Sequence, residues 1–255
     1  MRNKWFWLAM VAFIATLIAA PTGNVARTRI ADGFDFPVGK PDAEGYYKSR
    51  GFLRHHPGED WNGLGGGNTD IRDPVYSIGH GMVVFAKDVR MGWGNVVIVR
   101  HTYLSKGQLS TVDSFYAHLD RILVREGQQV LKGQQVGTIG TNRGMYTAHL
   151  HFEVRKNLHI GINRSAFRRD LTNYYVPTDF INPLRKLPGG GKSALIAINT
   201  FNEKGVFDGR SSTTTPQQNP AVLTKAEKPG KLPTPKTNSR RSNFEVNRFG
   251  DVESF

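Results

Sequence analysis

Between residues 34 and 186 the chain repeats one pattern: short β-favouring runs, each closed by Gly, Asn, Asp or Lys. The runs are Gly81–Ala86, Gly94–His101, Thr111–His118, Gln135–Gly140 and His149–Arg155. Runs of this length are short for helices, and their Val, Ile, Phe and Tyr content suits a pleated, half-buried surface. No helical periodicity separates them. The expected fold is therefore mainly β, an antiparallel sheet domain over residues 34–186. Gly65-Gly66-Gly67 lacks the strand, helix and lysine of a phosphate-cradling loop and reads as a flexible turn.

The flanks differ in composition. Arg2 and Lys4 precede an apolar run from Trp5 to Ala20. That run is shorter than the roughly 20 residues that span a bilayer comfortably. Residues 1–20 read as a secretory signal peptide or an uncleaved membrane anchor, so the protein is expected to be exported to the periplasm, envelope or extracellular space. Residues 21–33 read as a polar connector. From residue 187 onward, Gly189-Gly190-Gly191 and a stretch of Ser, Thr, Pro, Gln, Asn and Lys between Ser211 and Ser242 indicate a low-complexity basic tail, mostly disordered. Ala194–Phe207 has enough apolar content either to dock on the domain or to stay loose. The last residues, Asn243–Phe255, read as a frayed terminus.

With 34 Lys and Arg against 21 Asp and Glu, the formal net charge is +13. Such an excess suits anionic partners. Export and the lack of a nucleic-acid motif argue against nucleic acid. Weak contact of the tail with anionic envelope polymers or lipid is the favoured alternative to a partnerless linker. The chain has no cysteine, which excludes disulfides, a thiol nucleophile and thiolate metal sites. Any metal must sit on His, Asp or Glu.

Histidines carry the chemistry. In a strand, His149 and His151 project from one face, with Leu150 and Phe152 turned to the other. The pair could share a metal, place a ligand beside an acid–base group, or lie solvated on a sheet surface. His56-Pro57-Gly58-Glu59-Asp60 is a tight loop that could turn an imidazole and a carboxylate to one point; it reads equally well as a polar turn. Tyr116-Ala117-His118 ends a strand-like run, and His118 by itself could be a base, a ligand or a surface residue.

Taken together, H-x-G-x-D, then Y-x-H-L, then H-L-H-F-E-V-R resemble the lysostaphin-type (LytM) zinc metallopeptidases. Asp73–Val84, Gly92–His101 and Val124–Gly137 are similar to further segments of that family. The resemblance implies one zinc ion held by His56, Asp60 and His151, with His118 and His149 as catalytic histidines in a loop-lined groove. It implies hydrolysis of amide bonds in peptidoglycan peptides, in cross-links or stems. Some relatives with this fold have lost ligands and act as binding or activator modules; here all five positions are filled. A silent envelope-binding or amidase-activating module that keeps its zinc is the alternative, and a protein-cleaving envelope enzyme a third reading. Met145 and Tyr146 are bulky where the family usually has small residues, which bears on cleft shape.

Other residues carry two readings. Tyr116, Trp61 and Trp93 could line a substrate groove or pack the core. Glu153 could support the ligands from behind or form a surface ion pair with Arg155. His101 reads as a structural or surface residue and His80 as solvated. Asn62 and Asn68 are assigned loop-holding roles and no chemistry.

Overall fold

A computed structural model describes residues 25–90, 92–162 and 171–201. The expected signal or anchor segment at 1–20 and the tail beyond residue 201 lie outside them. Among the described residues no helix is long and apolar enough to cross a membrane.

The described residues hold twelve strands in chain order: β1 (Val25–Arg29), β2 (Tyr46–Arg50), β3 (Glu59–Gly63), β4 (Pro74–Tyr76), β5 (Gly81–Asp88), β6 (Asn95–Ser105), β7 (Gln108–Ile122), β8 (Gln129–Val130), β9 (Gln135–Ile139), β10 (Leu150–Arg155), β11 (Tyr174–Tyr175) and β12 (Ser193–Ala197). One short helix, α1 (Pro177–Ile181), starts with proline at its first position, where no N–H is needed. The main sheet runs β2-β3-β10-β7-β6-β5-β8, with β11 on β10 and with β9 joining β4 to β7. Its pairings are antiparallel, as the sequence pattern predicts. β6 and β7 form its longest hairpin, turning at Lys106-Gly107 with both φ positive (48° and 81°). That is the turn whose twist matches paired strands.

The central strands are buried on both faces. Val97, Val99, Tyr116, Leu150 and Phe152 pack on one side with Phe34 and Phe180. Val96, Ile98, Phe115 and Ala117 pack on the other with Trp93, Ile160 and Ile162. On this second side Arg100, fully buried, makes a two-pronged ion pair with Asp113 at 2.7 Å per prong. The same guanidinium donates to the carbonyls of Ala197 and Leu158 and to the Thr200 hydroxyl.

The ordered unit extends past the compositional boundaries at 33/34 and 186/187. Val25–Arg29 of the expected connector pairs with Ser193–Ala197 of the expected tail. Segment 194–201 thus docks rather than staying loose. The reason is long-range: Thr28, Ala194 and Ile196 are buried in a pairing between segments far apart in the chain.

Candidate functional site

Register sets the site. β3 lies against β10 with Asp60 directly opposite His151 and Trp61 opposite Leu150. Opposed residues share a face, so Asp60 and His151 meet on one side while Trp61 and Leu150 point to the core. His56 arrives from the loop before β3. Its motif glycine has a steric cause: a Cβ on Gly58 would stand 2.5 Å from the Phe152 carbonyl and 2.8 Å from Glu153 Cγ. Only glycine lets this loop lie flat on β10.

Three atoms converge here. His56 Nε2 and His151 Nδ1 are each 2.8 Å from Asp60 Oδ1, and 3.0 Å from each other. The opposite ring nitrogens are committed. His56 Nδ1 faces the Gly51 carbonyl at 2.8 Å, and His151 Nε2 faces Glu153 Oε1 at 2.8 Å. Both oxygens are acceptors, so those nitrogens carry the protons. In the neutral rings the inward nitrogens are then lone pairs, packed with a carboxylate oxygen in a buried spot. Three acceptors at such distances need a cation among them. Without a metal, a proton fills that need. Burial would lower the His151 pKa, but hydrogen bonds to Asp60 and Glu153 outweigh it and hold it up at about 9. Burial likewise favours a neutral Asp60, yet the His151 and His56 rings hold its carboxyl well below the usual range. The donor set therefore fits a metal ion, and among the described residues these three form the one such cluster.

Behind His151 stands a second layer. Glu153 accepts from His151 with one oxygen and from Arg155 Nε with the other, at 2.6 Å. Arg155 also donates to the Gly161 carbonyl and lies 3.9 Å over the Phe115 ring. Glu153 and Arg155 are an ion pair, as one reading held, but a fully buried one that grips a candidate ligand.

His118 reaches the site through a β-bulge. Tyr116 pairs with Val97 and Leu119 with Asn95, so Ala117 and His118 together face Val96 alone. His118 takes φ +62°, a left-handed conformation uncommon outside glycine. The extra residue re-aims the imidazole towards β10. The ring stacks at 23° to Trp93, with centroids 6.0 Å apart, and lies 4.8 Å from the His149 ring. Its Nδ1 faces the Trp93 carbonyl at 3.3 Å. Burial, then the positive charge of His151 and of His149, pushes its pKa down to about 2, so it rests neutral.

His149 is fixed by its neighbour. Ala148 N donates to Asn68 Oδ1 and Ala148 O accepts from Asn62 Nδ2, both at 2.8 Å. The two asparagines do hold loops. His149 Nδ1 faces the Thr147 carbonyl at 2.7 Å, and its Nε2 is 3.9 Å from Asp60 Oδ1. The sequence-expected five, His56, Asp60, His118, His149 and His151, thus come together at one end of the sheet.

Three groove candidates fare differently. Tyr116 is fully buried; its hydroxyl accepts from Ile78 N and Ser114 Oγ, so it is a core residue. The bulge breaks the period-two rule that would have put it beside His118. Trp61 packs on Phe36 in the same core, being one residue out of phase with Asp60. Trp93 does touch the site, as a largely buried wall 5.1 Å from the His151 ring. His101 is a buried structural residue, bonded to the His80 carbonyl and Ser114 Oγ. His80 is not solvated: it is buried, 3.4 Å from Asp32, and accepts from Lys132 N. Sequence reasoning left Arg100 and Asp113 unnamed; an Arg and an Asp on facing, otherwise apolar runs were the signal.

An antiparallel sheet with a buried two-histidine, one-carboxylate donor set and two more imidazoles at its rim defines a metallopeptidase-type domain. The chain belongs to peptidase family M23, whose profile matches residues 55–163. It is 37% identical over 84 residues to the lipoprotein NlpD of Yersinia enterocolitica, covering 32% of this chain and 76% of that protein. It is 39% identical over 83 residues to the murein hydrolase activator NlpD of Escherichia coli, covering 32% of this chain and 19% of that one. The peptidoglycan DD-endopeptidase ShyB of Vibrio cholerae is 37% identical over 86 residues, covering 34% and 18%. The chain thus spans less than a fifth of the length of the last two.

Proposed function

We propose that this chain is an exported zinc metalloendopeptidase that hydrolyses amide bonds in peptidoglycan peptides. The observation that carries the reading is the convergence of five side chains: three donors with no proton of their own to share, flanked by two imidazoles. His56 Nε2, Asp60 Oδ1 and His151 Nδ1 would hold the zinc. Bound there, zinc supplies Lewis acidity, polarising a carbonyl and lowering the pKa of water to about 7. The rest is done by the chain. His118 and His149 each spend Nδ1 on a backbone carbonyl, so each turns an Nε2 lone pair to the cleft. A neutral imidazole so placed accepts the proton of an attacking water. As imidazolium it donates to the developing oxyanion or to the leaving amine. Trp93 and Tyr146 flank His118 and limit its contact with bulk water. The apolar run at 5–20 and a relative named as a lipoprotein support placement in the cell envelope.

A second reading has one observation behind it: the E. coli relative is named as a murein hydrolase activator. In that reading the domain keeps its metal and cuts nothing. A mass-spectrometric digest of purified peptidoglycan, beside a His118→Ala control, separates the two. New peptide products from wild type alone support hydrolysis, and their masses name the bond. No products from folded, zinc-loaded protein on several wall types would move the reading to the activator.

A further inference from the structure

A second binding feature adjoins the catalytic pair. A cavity of about 610 Å³ is lined by Arg90, Asn142, Arg143, Gly144 and Met145. Its two walls are the loop after β5 and the loop before β10. The same loops carry Trp93, stacked on His118, and Tyr146, whose ring centroid is 4.7 Å from His118 and 5.8 Å from His149. The walls are tied together. Asn142 sits where a Cβ on Gly94 would fall, and Arg143 pairs with Asp88. The cavity is thus walled by the two loops that bring Trp93 and Tyr146 against His118.

Its chemistry is cationic. Asp88 compensates Arg143 and also accepts from the Arg90 backbone N–H at 2.8 Å. The exposed Arg90 guanidinium also acts on Asp88, so the one carboxylate is shared between the two arginines. Two guanidinium charges against one carboxylate leave a local charge of about +1, which matches a monoanion and disfavours a dianion beside Asp88. Guanidinium is the group suited to gripping a carboxylate with two parallel bonds. The backbone supports a built feature. Arg90 and Arg143 both take left-handed conformations, φ 54° and 59°, as does Asn142 at 47°. Non-glycine residues held there cluster at ligand clamps. Met145, more than half exposed, offers an apolar wall beside the charge.

We infer that this cavity is a substrate subsite that binds a free carboxylate of the peptide, with Arg90 as its main contact and Arg143 as its flank. The inference rests on the peptidase reading and names what that site selects: an acidic peptide whose carboxylate lies close to the scissile bond. Met145 lines this subsite and the adjoining Tyr146 packs on the histidines, so the pair stands between the two.

The test is a binding measurement on the full chain with an uncross-linked ligand. Two synthetic stem tetrapeptides are used, identical except that the glutamyl α-carboxylate is free in one and a carboxamide in the other. Isothermal titration should show the free acid binding at least tenfold tighter to wild type. Arg90→Gln keeps the backbone bonds of the loop and should bring that ratio to twofold or less, with affinity for the carboxamide unchanged. Equal affinity of wild type for the two peptides overturns the inference, as does a ratio that survives in Arg90→Gln. The peptidoglycan digest is independent of this result. Hydrolysis with a ratio of one leaves the enzyme and removes the subsite; a tenfold ratio without hydrolysis does the reverse.

Discussion

Replacing Glu153 with Gln tests the layer behind the metal cluster most directly. The substitution keeps shape and volume but changes the acceptor count. Glu153 receives two N–H donors, one from His151 and one from Arg155, on two different oxygens. Glutamine has one oxygen and an NH₂ group, so one donor must face another donor. If the oxygen serves His151, Arg155 loses its charge partner while fully buried; removing one member of such a pair costs about 3–5 kcal/mol. Its bond to the Gly161 carbonyl and its seat on Phe115 remain, which favours the lower end, about 3 kcal/mol. If the oxygen serves Arg155 instead, His151 loses the group that fixes its tautomer and orientation. Loss of such a support lowers metal affinity about 10- to 100-fold, or about 1.4–2.7 kcal/mol. The expected result is a fall in urea midpoint or in zinc affinity, according to which donor the oxygen keeps, the latter measured by competition with a chromophoric chelator. Affinity is taken only on samples whose near-ultraviolet circular dichroism matches wild type. Wild-type stability together with zinc affinity within twofold would refute the argument that Glu153 is shared by both donors.

Further predictions follow from other parts of the structure. His151→Ala should lose both zinc and activity, whereas His118→Ala should keep zinc within about threefold and lose about 100-fold or more in kcat; full activity in the latter removes His118 from its role. Gly58→Ala should lift the His56 loop off β10 and lower zinc affinity at least about tenfold, by the same orientation argument, which chelator competition would detect. Burial lowers the His101 pKa from 6.5 to about 4. Its neutral form is thus retained by the native state while the unfolded chain takes up a proton. Stability from this source is complete above pH 6.5 and is lost as pH falls towards 4, by about 3 kcal/mol in all. Urea titrations at pH 7 and 4.5 should show wild type losing more than His101→Gln; equal losses would assign the acid sensitivity elsewhere.

The strands were legible as local patterns, whereas the His56, Asp60 and His151 cluster came from the family resemblance of motifs that singly left other readings open. Alternation along His149–Phe152 placed two imidazoles opposite two apolar residues, while the close approach of Gly58 to the Phe152 carbonyl emerged only in the structure. What stayed open was parity across irregularities. Tyr116 could be read as groove or core, and the bulge at Ala117–His118 that decides it is invisible to a count of twos. Trp61 beside Asp60 suggested a groove, although adjacent strand residues face opposite ways. The β1/β12 pairing was hidden for another reason. Val25–Arg29 is largely polar, Ser193–Ala197 is apolar but only five residues long, and the two are more than 160 residues apart, so composition assigned one to a connector and the other to a tail. Burial, unlike periodicity, depends on the partner.

That pairing also shapes how the domain bears load. The chain enters the ribbon at Val25 and leaves it opposite, at Ala197, so both ends of any tether attached there lie side by side. Tension between them acts across the ribbon and opens it one rung at a time, as a zipper opens. The long β6/β7 pair carries none of that force until the ribbon has parted. In a single-molecule pull between residues 25 and 197, the first event should be a low-force release of these five-residue strands, with the histidine cluster still assembled behind them. The ribbon would then act as a mechanical fuse, yielding before the histidine end of the sheet is strained.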